Sequence, residues 1–187
     1  MTDPASVTLG SPMPTFSLPN VRTGDIVSSG DLSSRANIVV FLCNHCPYVQ
    51  HIADGLAELG RHAAQDGRVA MVAISSNDVD RYPDDSPRNL ALEADRRGFA
   101  FPVLFDESQE AAADFGAACT PDFFVYDAEH RLVYRGRFDG ATPGNDVPVT
   151  GEELRAAVRA TLAGEVVEDQ HPPMGCGIKW KPGNEPT

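Results

Sequence analysis

Hydrophobic and polar positions fall into blocks along this chain, and the blocks predict its elements. Ala36 to Leu42 is nearly continuous apolar sequence, the mark of a strand buried on both faces. Val49, Ile52, Ala53, Leu56 and Leu59 then recur at a period of about 3.6, so a helix runs from about Cys46 to Ala64. Arg68 to Ser75 is another buried-type strand, which makes a βαβ unit with a parallel pair. Ser76 to Pro87 is polar, holds two prolines and reads as a loop. Arg88 to Arg97 reads as a helix stopped by Gly98, Phe101 to Phe105 as a third strand, and Gln109 to Phe115 as a short helix capped by Ser108. Asp122–Tyr126 and Arg131–Arg137 flank a turn and form an antiparallel hairpin.

The ends are less regular. Residues 1–15 read as loose surface chain, and a short hairpin is expected at Phe16–Leu18 and Asp25–Ser28. Thr150 with Glu153 three residues on has capping-box spacing, opening a last helix that ends near Leu162 before Gly164. The order predicts an α/β fold, a mixed central sheet with helices on both faces. One domain spans 1–187, with a core of about 16–164 and a tail, 165–187, that carries Trp180 and four prolines.

Candidate chemistry sits where the first long strand meets its helix. Cys43 and Cys46 are spaced i, i+3, so both thiols face one way and can close a disulfide with little backbone movement. A helix N-terminus offers free N–H groups and partial positive charge, which favour a thiolate. Cys43 is expected to attack and Cys46 to resolve. Pro47 lies in the first helical turn, where its missing N–H costs nothing. His45, between the thiols, either stabilises the thiolate when protonated or is a solvated side chain. Zinc wants four ligands at short spacing; there is no second C-x-x-C, and Cys119 and Cys176 stand alone. No metal is therefore expected. Thr120–Pro121, before the DFFVY strand, is either an ordinary trans turn or a cis peptide beside the thiols.

Charge narrows the partners. Fifteen basic against 27 acidic residues give a net charge of −12 and a pI near 4.7, without the basic patch that nucleic acid or an anionic membrane needs. Met1 to Pro14 has no signal-peptide pattern, so a cytoplasmic location is expected, where a C-x-x-C is a catalytic pair more often than a staple. His51, His62, His130 and His171 lack ligand spacing, and Arg135 and Arg137 are expected to be solvated on one hairpin face.

The C-x-x-C at a strand–helix junction, the Thr-Pro before a hairpin and the final helix together resemble the thioredoxin fold. The longer order resembles the peroxiredoxin-like redoxins, the alkyl hydroperoxide reductase/thiol-specific antioxidant group. CNHCPYVQHI, NDVDRYPDDSP, CTPDFFVYD and MGCGIKWKPGN look like one bacterial subgroup of it. The resemblance implies that Thr120–Pro121 is a cis-proline loop facing Cys43 and Cys46. It departs from the peroxiredoxin pattern P-x-x-x-T-x-x-C. Aligned on Cys46, Val39 stands where Pro belongs and Cys43 where Thr belongs.

Cys119 reads either as a small buried residue or as the partner of Cys176. Ile178 and Trp180 could anchor the tail and bring Cys176 to Cys119 or to the C-x-x-C, making a second exchangeable thiol pair or relay. The leading expectation is a thiol–disulfide oxidoreductase with no dissociable cofactor, fed by another thiol system and acting on protein or small-molecule disulfides. Its alternatives are a thiol peroxidase with Cys46 as the peroxidatic thiol, and a metal-binding module without turnover.

Overall fold

A computed structural model describes residues 7–186. Five strands form the main sheet: β3 (Ala36–Phe41), β4 (Val69–Ser75), β5 (Val103–Phe105), β7 (Asp122–Asp127) and β8 (Leu132–Gly136). Their spatial order is β5-β4-β3-β7-β8. β3, β4 and β5 are parallel, β7 pairs antiparallel with β3, and β8 pairs antiparallel with β7. The sheet is therefore mixed, and β3 is its centre.

β3 is buried on both faces because its side chains alternate between two cores. Ile38 and Val40 pack on one side, under α1 (Pro47–Asp66), α2 (Pro87–Arg97) and α4 (Glu152–Ala163). Val39 and Phe41 pack on the other, with Phe115 behind α3 (Glu110–Asp114) and with Met13, Phe16 and Ile178. Burying a side chain of this size contributes about 1.5–3 kcal/mol, so this strand anchors both layers. α1 buries Val49, Ile52, Leu56 and Leu59 along one stripe and ends at Gly67, whose φ of +69° suits a residue without Cβ.

Two short pairs lie outside the sheet. β1 (Ser17–Pro19) and β2 (Ile26–Ser28) form the N-terminal hairpin. β6 (Cys119–Thr120) pairs antiparallel with β9 (Cys176–Gly177) from the tail.

Three expectations are corrected. Residues 7–15 are not loose: Gly10 and Met13 donate backbone hydrogen bonds to Leu132 and His130, at 2.8 Å each, and Met13 is buried (residues 1–6 lie outside the described chain). α4 has no capping box. Gly151 is its N-cap, and Asp139 Oδ2 accepts the N–H groups of Thr150 and Gly151 at 2.7 and 2.6 Å. Glu153 instead binds Arg137 at 2.7–3.0 Å. Arg135 and Arg137 are thus not free surface charges. Arg135 donates to the Gly116 carbonyl at 2.6 Å and to buried Asp122 at 3.1 Å. No helix among the described residues is long and apolar enough to cross a membrane.

Candidate active site

The strand-to-helix step places both thiols. β3 ends at Phe41, the chain turns through Cys43 to His45, and Cys46 is the N-cap of α1 with Pro47 in the first turn. Cys43 and Cys46 are 1% and 0% exposed, so neither sulfur faces open solvent. Pro47 is exposed, and Tyr48 packs half-buried against the core.

The Thr120–Pro121 peptide is cis, and its loop meets the thiols. Thr120 Oγ1 lies 3.3 Å from Cys43 Sγ, and Cys46 Sγ donates to the Thr120 carbonyl at 3.0 Å. That last bond belongs to the protonated thiol. On ionisation, Cys46 is held below the usual thiol range. The Cys43 thiol is the largest influence and outweighs burial, helped by the Val49 N–H of the first helical turn and by the thiol and N–H of Cys176. Cys43 moves the opposite way, pushed up first by giving its proton to Cys46, then by burial and by the charge of Asp85. The two thiols titrate as a coupled pair, with Cys46 lowered and Cys43 raised.

His45 is organised by Asp85, a residue the sequence pattern did not single out. Asp85 is wholly buried and accepts four hydrogen bonds: from the N–H groups of Asn44 and His45 at 2.7 and 3.2 Å, from Asn77 Nδ2 at 2.9 Å, and from His45 Nδ1 at 2.6 Å. Three fixed N–H donors make the carboxylate an acceptor, so the imidazole carries a proton on Nδ1. Tyr82 stacks on the ring, centroids 5.2 Å apart. The signal available in sequence was positional. The loop after β4 must lie beside the loop after β3, because parallel neighbours bring their C-terminal ends together.

Cys43 Sγ, a His45 ring nitrogen and an Asp85 oxygen lie within 4.8 Å of one another. Three ligand atoms, one oxygen pair already filled by N–H donors, make a poor match to a four-coordinate zinc site. A polar groove of about 410 Å³ opens beside this turn, lined by Asn44, His45, Gln50, Asp84, Asn89 and Arg96 among others. A larger cleft of about 820 Å³, between α4 and residues 165–171, holds none of the cysteines.

The tail folds back over the thiols. Ile178 is buried in the core, and Cys176 pairs opposite Thr120 while Gly177 pairs opposite Cys119. Adjacent residues of a strand point to opposite faces, so this register separates the side chains of Cys119 and Cys176. It speaks against their forming a thiol pair. Cys119 faces the Pro121 carbonyl at 3.7 Å, and burial pushes its thiol up to about 12. All four cysteines are free thiols.

The model of the AhpC/TSA family matches residues 9–135, from before β1, past Thr120–Pro121 and into β8. The chain belongs to the AhpC/TSA family. Two solved structures are similar over nearly its whole length. An uncharacterized conserved protein from Geobacillus kaustophilus is 47% identical, with 94% of each chain covered and a TM-score of 0.91. A hypothetical protein from Sinorhizobium meliloti is 45% identical, covering 96% of this chain and 98% of its own, with a TM-score of 0.92. A secreted Mycobacterium tuberculosis disulfide oxidoreductase, homologous to E. coli DsbE, shares the fold at 17% identity and a TM-score of 0.59, covering 78% of this chain and 95% of its own. No curated protein matches. Family and fold together make this chain a redoxin with a thioredoxin-like fold, as the sequence resemblance implied.

Proposed function

We propose that this redoxin is a thiol–disulfide oxidoreductase in which Cys46 is the exchanging thiolate and Cys43 the resolving thiol. One observation carries the reading: Cys46 stands at the N-cap of α1, where the thiol of Cys43, the Val49 N–H and Cys176 favour its thiolate. The roles are the reverse of those expected from sequence, because the thiol of Cys43 and the amide and thiol of Cys176 all stabilise charge on the second sulfur. Cys46 thiolate attacks a substrate disulfide, and one substrate sulfur leaves as a thiolate that takes its proton from water. Cys43 then gives up its proton and attacks Cys46, releasing the second substrate thiol and closing the Cys43–Cys46 disulfide. Two electrons pass from the pair to the substrate, and the reverse sequence oxidises a dithiol. A cellular thiol system returns the electrons, and the same reading keeps the protein in the cytoplasm.

Peroxide is the weaker substrate in this reading. Cys43 stands where the typical peroxiredoxin pattern has a hydroxyl, and its proton is directed at Cys46.

Trapping separates the possibilities. Cys176 is changed to Ser in every variant, so that no neighbouring thiol displaces the adduct. Reduced protein is mixed with a disulfide-linked peptide and its adducts are mapped by mass spectrometry. Cys43→Ser should accumulate a mixed disulfide on Cys46, and Cys46→Ser should not react. An adduct on Cys43 alone would restore the opposite roles. No adduct in either variant, with rapid consumption of hydrogen peroxide by the protein carrying Cys43 and Cys46, would make the protein a peroxidase.

A further inference from the structure

We propose that Cys176 is a third redox-active residue, forming a disulfide with Cys46 and carrying exchange from the buried pair to the surface. The proposal rests on the reading that Cys43 and Cys46 are a redox pair, and adds where their electrons enter.

The tail is held against the cis-proline loop as an extended strand. Cys176 sits opposite Thr120, and Ile178 N–H donates to the Ala118 carbonyl at 3.3 Å. Gly175 lets the two backbones meet: a Cβ there would lie 2.0 Å from the Thr120 carbonyl oxygen, so no other residue fits without moving the tail. This is the edge on which an extended substrate could pair, and the chain's own tail occupies it.

A dedicated clasp keeps it there. Asn77 Oδ1 accepts from Lys179 N–H at 2.8 Å, while its Nδ2 donates to Asp85. Gln109 is buried, holds an unusual φ of +66°, donates to the Lys179 carbonyl at 3.0 Å and accepts from Lys181 N–H at 2.8 Å. A non-glycine residue in that backbone region costs free energy, which the fold here sustains for a side chain that binds the tail.

The exposure pattern gives the tail its purpose. Cys43, Cys46 and Cys119 are buried, and Cys176 is the one cysteine partly open to solvent. It packs against the cluster that holds Cys46, opposite Thr120, whose carbonyl meets the Cys46 thiol. When Cys43 and Cys46 are joined, Cys176 thiolate attacks Cys46 Sγ; the Cys46–Cys176 bond forms, the Cys43–Cys46 bond breaks, and Cys43 takes up the proton that Cys176 lost. An external thiolate then attacks Cys176 from solvent and Cys46 leaves as the stabilised thiolate, since a leaving thiol of low pKa departs faster. A second external thiol frees Cys176, so two thiols become one external disulfide and the protein is reduced. Burial and the neighbouring Cys46 charge push Cys176 up to about 11 in the reduced state, but the Cys46 charge is gone once Cys46 is in a disulfide.

The test maps disulfides in full-length protein oxidised with oxidised glutathione. Cys43→Ser should yield an intramolecular Cys46–Cys176 disulfide with Cys119 free. Gly175→Ala should lose that disulfide on the same background while the wild-type Cys43–Cys46 bond still forms, and the emission of Trp180 should shift as the tail lifts. Glutathione left on Cys46 beside a free Cys176 would overturn the proposal even where wild type closes Cys43–Cys46 and reduces peptide disulfides. A Cys46–Cys176 bond without any Cys43–Cys46 bond in wild type would instead overturn the redox pair and leave Cys176 standing.

Discussion

His45 Nδ1 lies 2.6 Å from Asp85 Oδ2, although 40 residues separate them in the chain. The contact joins the loop after β3 to the loop after β4, and Asn77 extends it to Lys179 of the tail. One buried carboxylate therefore ties the thiol turn, the imidazole and the covering strand into a single network. It also faces Cys43, whose thiol it pushes up.

Asp85→Asn tests that network. The amide cannot accept all the N–H donors now aimed at the carboxylate, and a buried donor left unpaired costs about 1–3 kcal/mol. The expected outcome is a stability loss of about that size in denaturant unfolding. In the same variant, Cys43 should titrate at lower pH, because a negative charge beside it has gone. A mere packing defect would lower stability and leave the thiol titration where it was.

The lowered pKa of Cys46 predicts a pH dependence with a definite sign. A free thiol has a pKa of about 8.5, and the folded state holds Cys46 below that. Between the folded value and about pH 8.5 the unfolded chain binds the extra proton, so stability rises with pH. As pH falls through the folded value this stabilisation is lost. The difference in unfolding free energy between reduced wild type and Cys46→Ser should therefore grow from acid toward neutral pH. The ultraviolet absorbance of a thiolate should appear over the same range in wild type and be missing in Cys46→Ser. A flat difference would show that the charge does not rest on Cys46.

Arg135 supports the cis-proline loop from behind. Asp122, next to Pro121, is wholly buried, and burial raises its pKa against the lowering pull of Arg135. Arg135→Ala removes the partner of a buried carboxylate, a change that costs about 3–5 kcal/mol in comparable pairs. The loss should be largest at neutral pH and shrink on acidification, because protonated Asp122 no longer needs a counter-charge. Thermal unfolding of the variant across pH measures both effects.

Much of the fold was legible before any tertiary information. The change from the continuous apolar run at 36–42 to the helical spacing of Val49, Ile52, Leu56 and Leu59 located β3, α1 and the thiols between them, because burial on two faces or one stripe leaves a local periodicity. Pro47, Gly67 and Gly98 marked ends through their own backbone limits. Capping was less legible: Thr150 and Glu153 had the spacing of a box, but Asp139 and Arg137 outcompeted them from across the fold.

What the tertiary structure alone decided is which distant groups surround the two sulfurs. Asp85, Asn77 and Gln109 carry no local pattern, since a buried hydrogen bond between loops leaves no period in sequence. The seating of Cys176 opposite Thr120, rather than beside the side chain of Cys119, depends on a one-residue register. A shift by one residue turns a side chain to the other face, and only the packed tail fixes it. Cys176, so seated, adds to the lowering of Cys46 that its motif partner Cys43 begins. C-x-x-C by itself determines that two thiols meet at a helix start, and the surrounding fold determines which distant groups each of them meets.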